Sequence, residues 1–294
     1  MDFENIHIII NPASGNAEPI LSYFDSAFLN KNIKWQVSIT KHELEAYKIA
    51  TKMAGTVDLI VIYGGDGSVS EVASALIGKD TPMAIIPGGT ANVLSKELGI
   101  PQDSEAAIQL LVNGKMKIEE IDMGMANDCP FLIRINFGIM ADMILHTNRE
   151  MKNKLGQFAY GITSLQTIGE AKPTIYNLVI DGKSFTETCV ALTVTNAGNL
   201  GIGDFSLAPG IDITDGYLDL LMLYDTDFLT MLQLAGSTLF QTESDILKHI
   251  RCKEISIELS QPTEYIFDDT KKTTTHLHIK VLPKALKILV PLPL

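Results

Sequence analysis

Three glycine-bearing segments combine residue types suited to holding a polyphosphate: Asn11-Pro12-Ala13-Ser14-Gly15, Gly64-Gly65-Asp66-Gly67-Ser68 and Pro87-Gly88-Gly89-Thr90-Ala91-Asn92. Each follows an apolar run that reads as a strand. Glycine lets the backbone approach a ligand closely, and the N–H groups that open a following helix suit a phosphate. One such loop alone is more often an ordinary strand-to-helix turn. Three of them at the carboxyl ends of neighbouring parallel strands would converge on one crevice, where such sheets bind ligands. Asp66 adds a carboxylate among the glycines that would repel phosphate unless a cation intervened. Mg²⁺ is that cation, since it binds through one or two carboxylates together with water and phosphate oxygens, and it neutralises charge in phosphoryl transfer.

The elements around these loops alternate. Ile6 to Ile10, Ile33 to Ile39, Val57 to Tyr63 and Met83 to Pro87 read as strands. Between and after them, Pro19 to Leu29, Glu43 to Ala54, Val69 to Ile77 and Ala91 to Leu98 read as helices. This order predicts an α/β domain with a mostly parallel, layered sheet. From about Ile121 the pattern changes to strands with few helices: Phe131 to Phe137, Thr174 to Ile180, Thr188 to Asn196, Tyr217 to Tyr224, Glu254 to Leu259, Tyr265 to Asp268 and His276 to Val281. That half predicts antiparallel β structure, interrupted by helices near Gln157 to Ile168 and Phe228 to Phe240. The domains are therefore placed at 1–125 and 126–284. A last apolar strand at 285–294 has no partner identifiable from sequence, and a return to the first domain is one option.

With 294 residues, 46% hydrophobic and 20% charged, the chain can bury two ordinary cores. Its 23 basic against 35 acidic residues give a net charge of -12, which argues against nucleic acid as a partner and against a broad grip on anionic lipid. Membrane contact would need a local basic patch, such as Arg149, Lys152 and Lys154 or Lys271 and Lys272. No apolar stretch reaches the ~20 residues of a transmembrane helix, and no signal-like segment precedes the first strand, so the expected location is the cytoplasm. Cys129, Cys189 and Cys252 are odd in number and widely spaced, suggesting buried free thiols. The six histidines lack metal-ligand spacing, and there is neither a Walker A sequence nor a GxSxG elbow.

The loop sequences resemble those of the bacterial diacylglycerol kinase-like lipid kinases, whose nucleotide domain is related to NAD kinases and to sphingosine and ceramide kinases. NPASG at Asn11 to Gly15 is similar to the family's first phosphate loop, and GGDGSVSEV at Gly64 to Val72 to its GGDGT-x-x-E-V, with Ser68 for Thr. PGGTAN at Pro87 to Asn92 resembles PxGTxN, and Ile121-Asp122-Met123-Gly124 resembles IDxG. Asn196, Leu207-Ala208-Pro209 and Asp215-Gly216-Tyr217-Leu218-Asp219 are similar to the N…LAP…DGxLD stretch.

The resemblance implies a NAD kinase-like first domain followed by an antiparallel β-sandwich. It also implies that ATP is bound by Asn11, Pro12, Ser14, Gly15, Thr40, Gly64, Gly65, Asp66, Gly67, Ser68, Glu71, Gly89, Thr90 and Asn92. Asp66 and Asp122 would hold Mg²⁺ through water, and Asp212, Asp215 and the Tyr217 carbonyl a structural Mg²⁺ or Ca²⁺. An ordinary Asp-Gly hairpin turn is the alternative for the latter stretch. The family's catalytic DGE falls at Asp268-Asp269-Thr270, where only the first residue is kept. Asp268 becomes the expected base, with Asp66 the other catalytic carboxylate; a polar turn before a strand is the alternative.

The resulting expectation is an ATP- and Mg²⁺-dependent lipid kinase that meets its substrate transiently at a membrane surface. Two rivals stay open: a kinase of a soluble acceptor such as NAD, and a nucleotide- or lipid-binding regulator without turnover. No heptad pattern specifies an oligomer, and a homodimer stays an open partner.

Overall fold

A computed structural model describes residues 3–14, 18–138, 141, 173–201, 206–224 and 247–292. The chain divides into two compact units, Met1–Ile121 with Lys284–Leu294, and Asp122–Pro283. The expected helices near Gln157 to Ile168 and Phe228 to Phe240 lie outside the described residues, as do Gly15, Arg149, Lys152 and Lys154. Among the described residues, no helix is long and apolar enough to cross a membrane.

In the first unit, strands β1 (Asn5–Ile10), β2 (Lys34–Ile39), β3 (Leu59–Gly64) and β4 (Met83–Pro87) lie side by side in the order β4-β3-β1-β2. All pairs are parallel, with Ile8 opposite both Val37 and Val61. Every residue of β3 and β4 is buried, as strands in a sheet covered on both faces require. The cover comes from α1 (Ile20–Phe28), α2 (Glu45–Met53), α3 (Asp66–Leu76), α4 (Val93–Glu97) and α5 (Ser104–Val112). Of these, α1 packs with α5 and α2 with α3. Buried Ile20, Phe24, Ala27 and Phe28 recur at helical spacing along α1. Burial of Phe24 alone contributes about 2 kcal/mol.

Two local differences from the sequence expectation bear on the site. Helix α3 begins at Asp66 rather than Val69, with Gly65 as its N-cap residue. The GGDG segment is thus half loop and half first helical turn. Helix α4 is shorter than expected because Asn92 takes a left-handed φ of 49° and the turn at Gly99, φ 67°, ends it. Helix α5, which was not expected, is opened by Asp103, whose carboxylate accepts from the Ala106 amide at 2.8 Å.

The chain enters the second unit along β5 (Met116–Ala126) and continues with β6 (Cys129–Phe131), β7 (Arg134–Gly138), β8 (Thr174–Ile180), β9 (Lys183–Cys189), β10 (Ala191–Thr195), β11 (Leu218–Leu223), β12 (Leu247–Cys252), β13 (Glu254–Phe267) and β14 (Thr270–Pro291). Its strands run β12-β11-β10-β7-β13-β14, each pair antiparallel, with the β8–β9 hairpin attached to β13 through β8. The two strands expected at Glu254 to Leu259 and Tyr265 to Asp268 are one strand, β13. Its register shifts between Glu258 and Thr263, around Pro262, which cannot donate to a ladder. The shift lets Ile255 to Glu258 pair with β8 while Tyr265 to Phe267 pair with β7. Phe137 sits at the centre of this core, stacked on Tyr265 at 5.0 Å and edge-on to Tyr176 at 6.0 Å. Likewise, the strand expected at His276 to Val281 and the start of the one expected at 285–294 are both parts of β14, which ends at Pro291. In the first unit, the end of β14 lies parallel to β4, with Ile288 opposite Met83.

Candidate functional site

The three glycine loops of the first unit meet at the carboxyl ends of β1, β3 and β4. Asn11 Nδ2 donates to Ser68 Oγ at 2.7 Å, and the Gly88 amide donates to the Gly64 carbonyl at 2.9 Å. The Ser14 hydroxyl turns back onto the Asn11 carbonyl at 3.1 Å. Glycine is needed where the loops touch: a Cβ on Gly89 would lie 2.6 Å from Gly65 Cα. Asn92 fixes that contact by accepting from the Gly89 amide and donating to the Gly89 carbonyl, both at 2.9 Å. The first intrahelical bond of α3 runs from Val69 to Gly65, so the amides of Gly67 and Ser68 open the helix toward the loops. Pro12 and Thr90 are exposed on the surrounding surface.

Asp66 lies in this first helical turn, and its Oδ1 accepts from the Leu94 amide at 3.4 Å, tying the second loop to the helix after the third. One carboxylate beside glycine loops and the opening amides of a helix suits a magnesium–nucleotide complex, in which most ligands are phosphate oxygens and water. Two other residues expected at the nucleotide, Glu71 and Thr40, bond to the backbone. Glu71 accepts from the amides of Leu44 at 2.9 Å, Ala46 at 3.1 Å and Tyr47 at 3.4 Å, so its carboxylate caps α2. Thr40 is buried, with its amide and hydroxyl both directed at the Ile10 carbonyl, at 2.9 and 3.4 Å.

One residue escaped the sequence reading. Glu18 Oε1 accepts from the Tyr63 phenol at 2.8 Å and lies 3.1 Å from the Ser104 hydroxyl, which is also 3.1 Å from the Pro87 carbonyl. Burial first, then the Glu18 carboxylate, pushes the Tyr63 phenol above its ordinary range and keeps it a donor. Glu18 thus fastens the chain just beyond the first loop to the strand and loop of the other two. A single acid before Pro19 carries no signal that would have revealed this.

In the second unit the aspartates singled out from sequence are bonded to their own backbone. Asp122 is fully buried: its amide donates to Ile213, its carbonyl accepts from Asn196 Nδ2 at 2.9 Å, and its Oδ2 accepts from the Gly216 amide at 2.6 Å. Asp212 Oδ1 accepts from the Thr214 amide and hydroxyl at 2.9 and 2.7 Å. Asp215 Oδ1 accepts from the Tyr217 amide at 2.9 Å, while its Oδ2 pairs with Arg251, whose guanidinium lies 4.6 Å over the Tyr217 ring. Asp219 pairs with His249 at 2.6 Å. Burial raises the Asp215 carboxyl, outweighing the opposing pull of the Tyr217 amide and of Arg251.

The described residues contain no group of three or more His, Cys, Asp or Glu placed to hold a metal ion. In the Asp212–Tyr217 loop, where the expected cation would bind Asp212, Asp215 and the Tyr217 carbonyl, Arg251 pairs with Asp215.

Asp268, the expected base, lies at the tip of the β13–β14 hairpin. With Asp269 it forms the two-residue turn between paired Phe267 and Thr270, at a left-handed φ of 51°. Its carboxylate accepts from three successive amides, Leu132 at 3.1 Å, Ile133 at 2.9 Å and Arg134 at 3.0 Å. Its own amide donates to the Arg134 carbonyl at 2.8 Å.

Comparison with known proteins agrees with this architecture. The diacylglycerol kinase catalytic domain matches residues 5–126, and the YegS C-terminal NAD kinase β-sandwich-like domain matches residues 134–290. A diacylglycerol kinase of Mycobacterium tuberculosis strain H37Rv is 31% identical over 255 residues, covering 83% of this chain and 80% of its own. The probable lipid kinase YegS of Salmonella arizonae is 27% identical over 299 residues, covering 99% and 97%. A crystal structure from Bacillus anthracis strain Sterne, provisionally assigned as a diacylglycerol kinase, has a TM-score of 0.86 at 27% identity and covers 100% of this chain and 98% of its own. With both domains matched and the α/β and antiparallel units in place, the chain belongs to the diacylglycerol kinase-like family of lipid kinases.

Proposed function

We propose that this protein transfers the γ-phosphoryl group of ATP to a lipid hydroxyl, that of diacylglycerol or a related glycerolipid, with Mg²⁺ as cofactor. The observation that carries the reading is the convergence of three glycine loops and Asp66 at the strand ends of the first unit. The loop amides and the opening turn of α3 hold the phosphates, and Asp66 holds the cation. Magnesium, when bound, offsets the charge of the transferring group. The acceptor oxygen forms the new bond to the γ-phosphorus as the bridge to the β-phosphate breaks, ADP is the leaving group, and the hydroxyl proton passes to the expected base Asp268 or to water. Because the transferring group is loosely bonded in the transition state, positioning and charge neutralisation supply most of the catalysis. A lipid acceptor brings the protein transiently to a bilayer, and ATP places the reaction on the cytoplasmic side.

A second reading, a nucleotide- or lipid-binding protein without turnover, is favoured by Asp268-Asp269-Thr270, which keeps one residue of the family's DGE. One assay separates the two. The protein is incubated with Mg²⁺ and γ-labelled ATP against diacylglycerol, phosphatidylglycerol, sphingoid bases, ceramide and NAD. Label is expected in a glycerolipid and lost in Asp66→Ala. Label in NAD alone would refute the lipid acceptor, and ATP binding with no label anywhere would establish the second reading.

A further inference from the structure

We propose that Tyr63 is a positioning residue for the nucleotide, a spacer that sets the first glycine loop against the third, with Glu18 as its anchor. Tyr63 is the penultimate residue of β3 and is 3% exposed, with Ile10 beside it on one strand and Ile86 on the other. In the reading of the loops as a phosphate cradle, on which the inference rests, each part of Tyr63 meets a different loop. Its peptide leads directly into Gly64 of the second. Its carbonyl accepts from the Asn11 amide, which opens the first, at 3.0 Å. Its ring lies against the third, where a Cβ on Gly88 would come within 3.0 Å of both Cε2 and Cζ.

The ring and the glycine form a fitted pair. Gly88 does not have a left-handed φ, so its backbone conformation does not require glycine. Space requires it. The same added Cβ would also lie 3.2 Å from the Ser14 carbonyl oxygen, so the missing side chain leaves room for the ring and the first loop together. Carbon atoms rest at about 3.5–4.0 Å from one another, and a methyl at position 88 must therefore displace the ring or the loop.

The phenol fixes the ring in place. Its hydroxyl donates to Glu18 Oε1 at 2.8 Å, and that oxygen also lies 3.1 Å from the Ser104 hydroxyl. Glu18 stands just before α1 and Ser104 opens α5, two helices that pack on each other. The spacer is thus anchored in the helical cover of the sheet, outside the glycine loops that it sets. Phosphates held by amides from separate loops depend on the spacing of those loops, and a shift of about 1 Å can cost roughly 100-fold in rate. Tyr63 acts through the loops rather than on the phosphates.

Tyr63→Phe, Tyr63→Ala, Glu18→Gln, Glu18→Ala, Gly88→Ala and the double variant of Tyr63→Ala with Gly88→Ala are compared with wild type in the full chain. The readouts are the Kd for Mg²⁺–ATP, the KM for ATP and for diacylglycerol, and hydrogen exchange at the Asn11, Ser14 and Gly88 amides. Tyr63→Phe and Glu18→Ala are expected to raise the Kd and the KM for ATP by about tenfold, the scale of a lost bond to a charged group, with the KM for diacylglycerol within about twofold. Exchange at the three amides should quicken in both. Glu18→Gln keeps an oxygen that accepts from the phenol and should retain most of the affinity. Gly88→Ala should weaken ATP binding by roughly tenfold beside tyrosine and by less than about twofold beside Tyr63→Ala, the non-additivity of a contacting pair. Additive effects would overturn the fitted pair. Equal rises in the two KM values, or wild-type affinity for Mg²⁺–ATP in Tyr63→Phe and Glu18→Ala, would overturn the positioning role. If Tyr63→Ala does not fold, Tyr63→Phe and the two Glu18 variants decide. If the wild type binds no Mg²⁺–ATP, the cradle reading fails by itself, and exchange then tests the spacer: faster exchange in Tyr63→Phe supports it and unchanged protection refutes it.

Discussion

Asp66 of the first unit and the aspartates singled out in the second are held differently. In the first unit, Asp66 lies in the opening turn of a helix among three glycine loops, where its Oδ1 accepts from the Leu94 amide at 3.4 Å. In the second, Asp122, Asp212, Asp215, Asp219 and Asp268 are each held at 2.6–3.1 Å by backbone amides or by His249, and Asp215 also by Arg251. Short, charge-assisted bonds from the chain's own groups fix the orientation of a carboxylate and use part of its acceptor capacity. A high density of aspartates is therefore not by itself a metal site.

The largest effect that could break this contrast is at Asp66. Asp66→Ala should lower lipid phosphorylation by about 10³-fold or more, the scale of losing a main charge-stabilising group, with a melting temperature within a few degrees of wild type. Turnover and melting measured on one preparation check it. A variant that melts much earlier while retaining turnover would put Asp66 in the same class as Asp122. Next is Gly89→Ala, which drives a methyl into the backbone of Gly65. It should cost about 1–3 kcal/mol by thermal unfolding and raise the KM for ATP more than the KM for lipid. Equal changes in both would mean that the loops do not form a nucleotide cradle.

The parts of this contrast differ in how openly the sequence displayed them. Asn11 to Gly15, Gly64 to Ser68 and Pro87 to Asn92 were legible because a glycine loop after an apolar strand is a local signal, and parallel order alone brings such loops together. Partners are not local. Glu71 looked like part of the phosphate motif, but its oxygens answer amides 24 to 27 residues earlier. The bonds that occupy Asp268 come from 134 to 136 residues away. Strand β9 escaped because its residues are mostly exposed and polar, leaving no alternation to see. Pro262 made one bulged strand look like two.

Glu71 offers a smaller test on the side of the first unit. Glu71→Ala should cost about 1 kcal/mol, the usual value of a helix cap, seen as an earlier melt and faster exchange at Leu44, Ala46 and Tyr47. A direct phosphate or magnesium ligand would behave otherwise: stability would hold, and the KM for ATP would carry the loss.

The smallest expected effect concerns Arg251, and it sharpens the comparison most. Its partner contact is at the surface, with the Arg251 side chain 47% exposed, so Arg251→Ala should cost only about 0–1 kcal/mol. The informative quantity is the response to cations. If the guanidinium is the positive charge of the Asp212–Tyr217 loop, wild-type melting in the absence of nucleotide is the same in EDTA, Mg²⁺ and Ca²⁺. Arg251→Ala uncovers Oδ2 of Asp215 beside Asp212 and should gain a cation-dependent rise in melting temperature. Wild type that already melts several degrees higher in Ca²⁺ than in EDTA would show that the second unit can open its claimed oxygens to a metal, and the division between the two sets of aspartates would fail there.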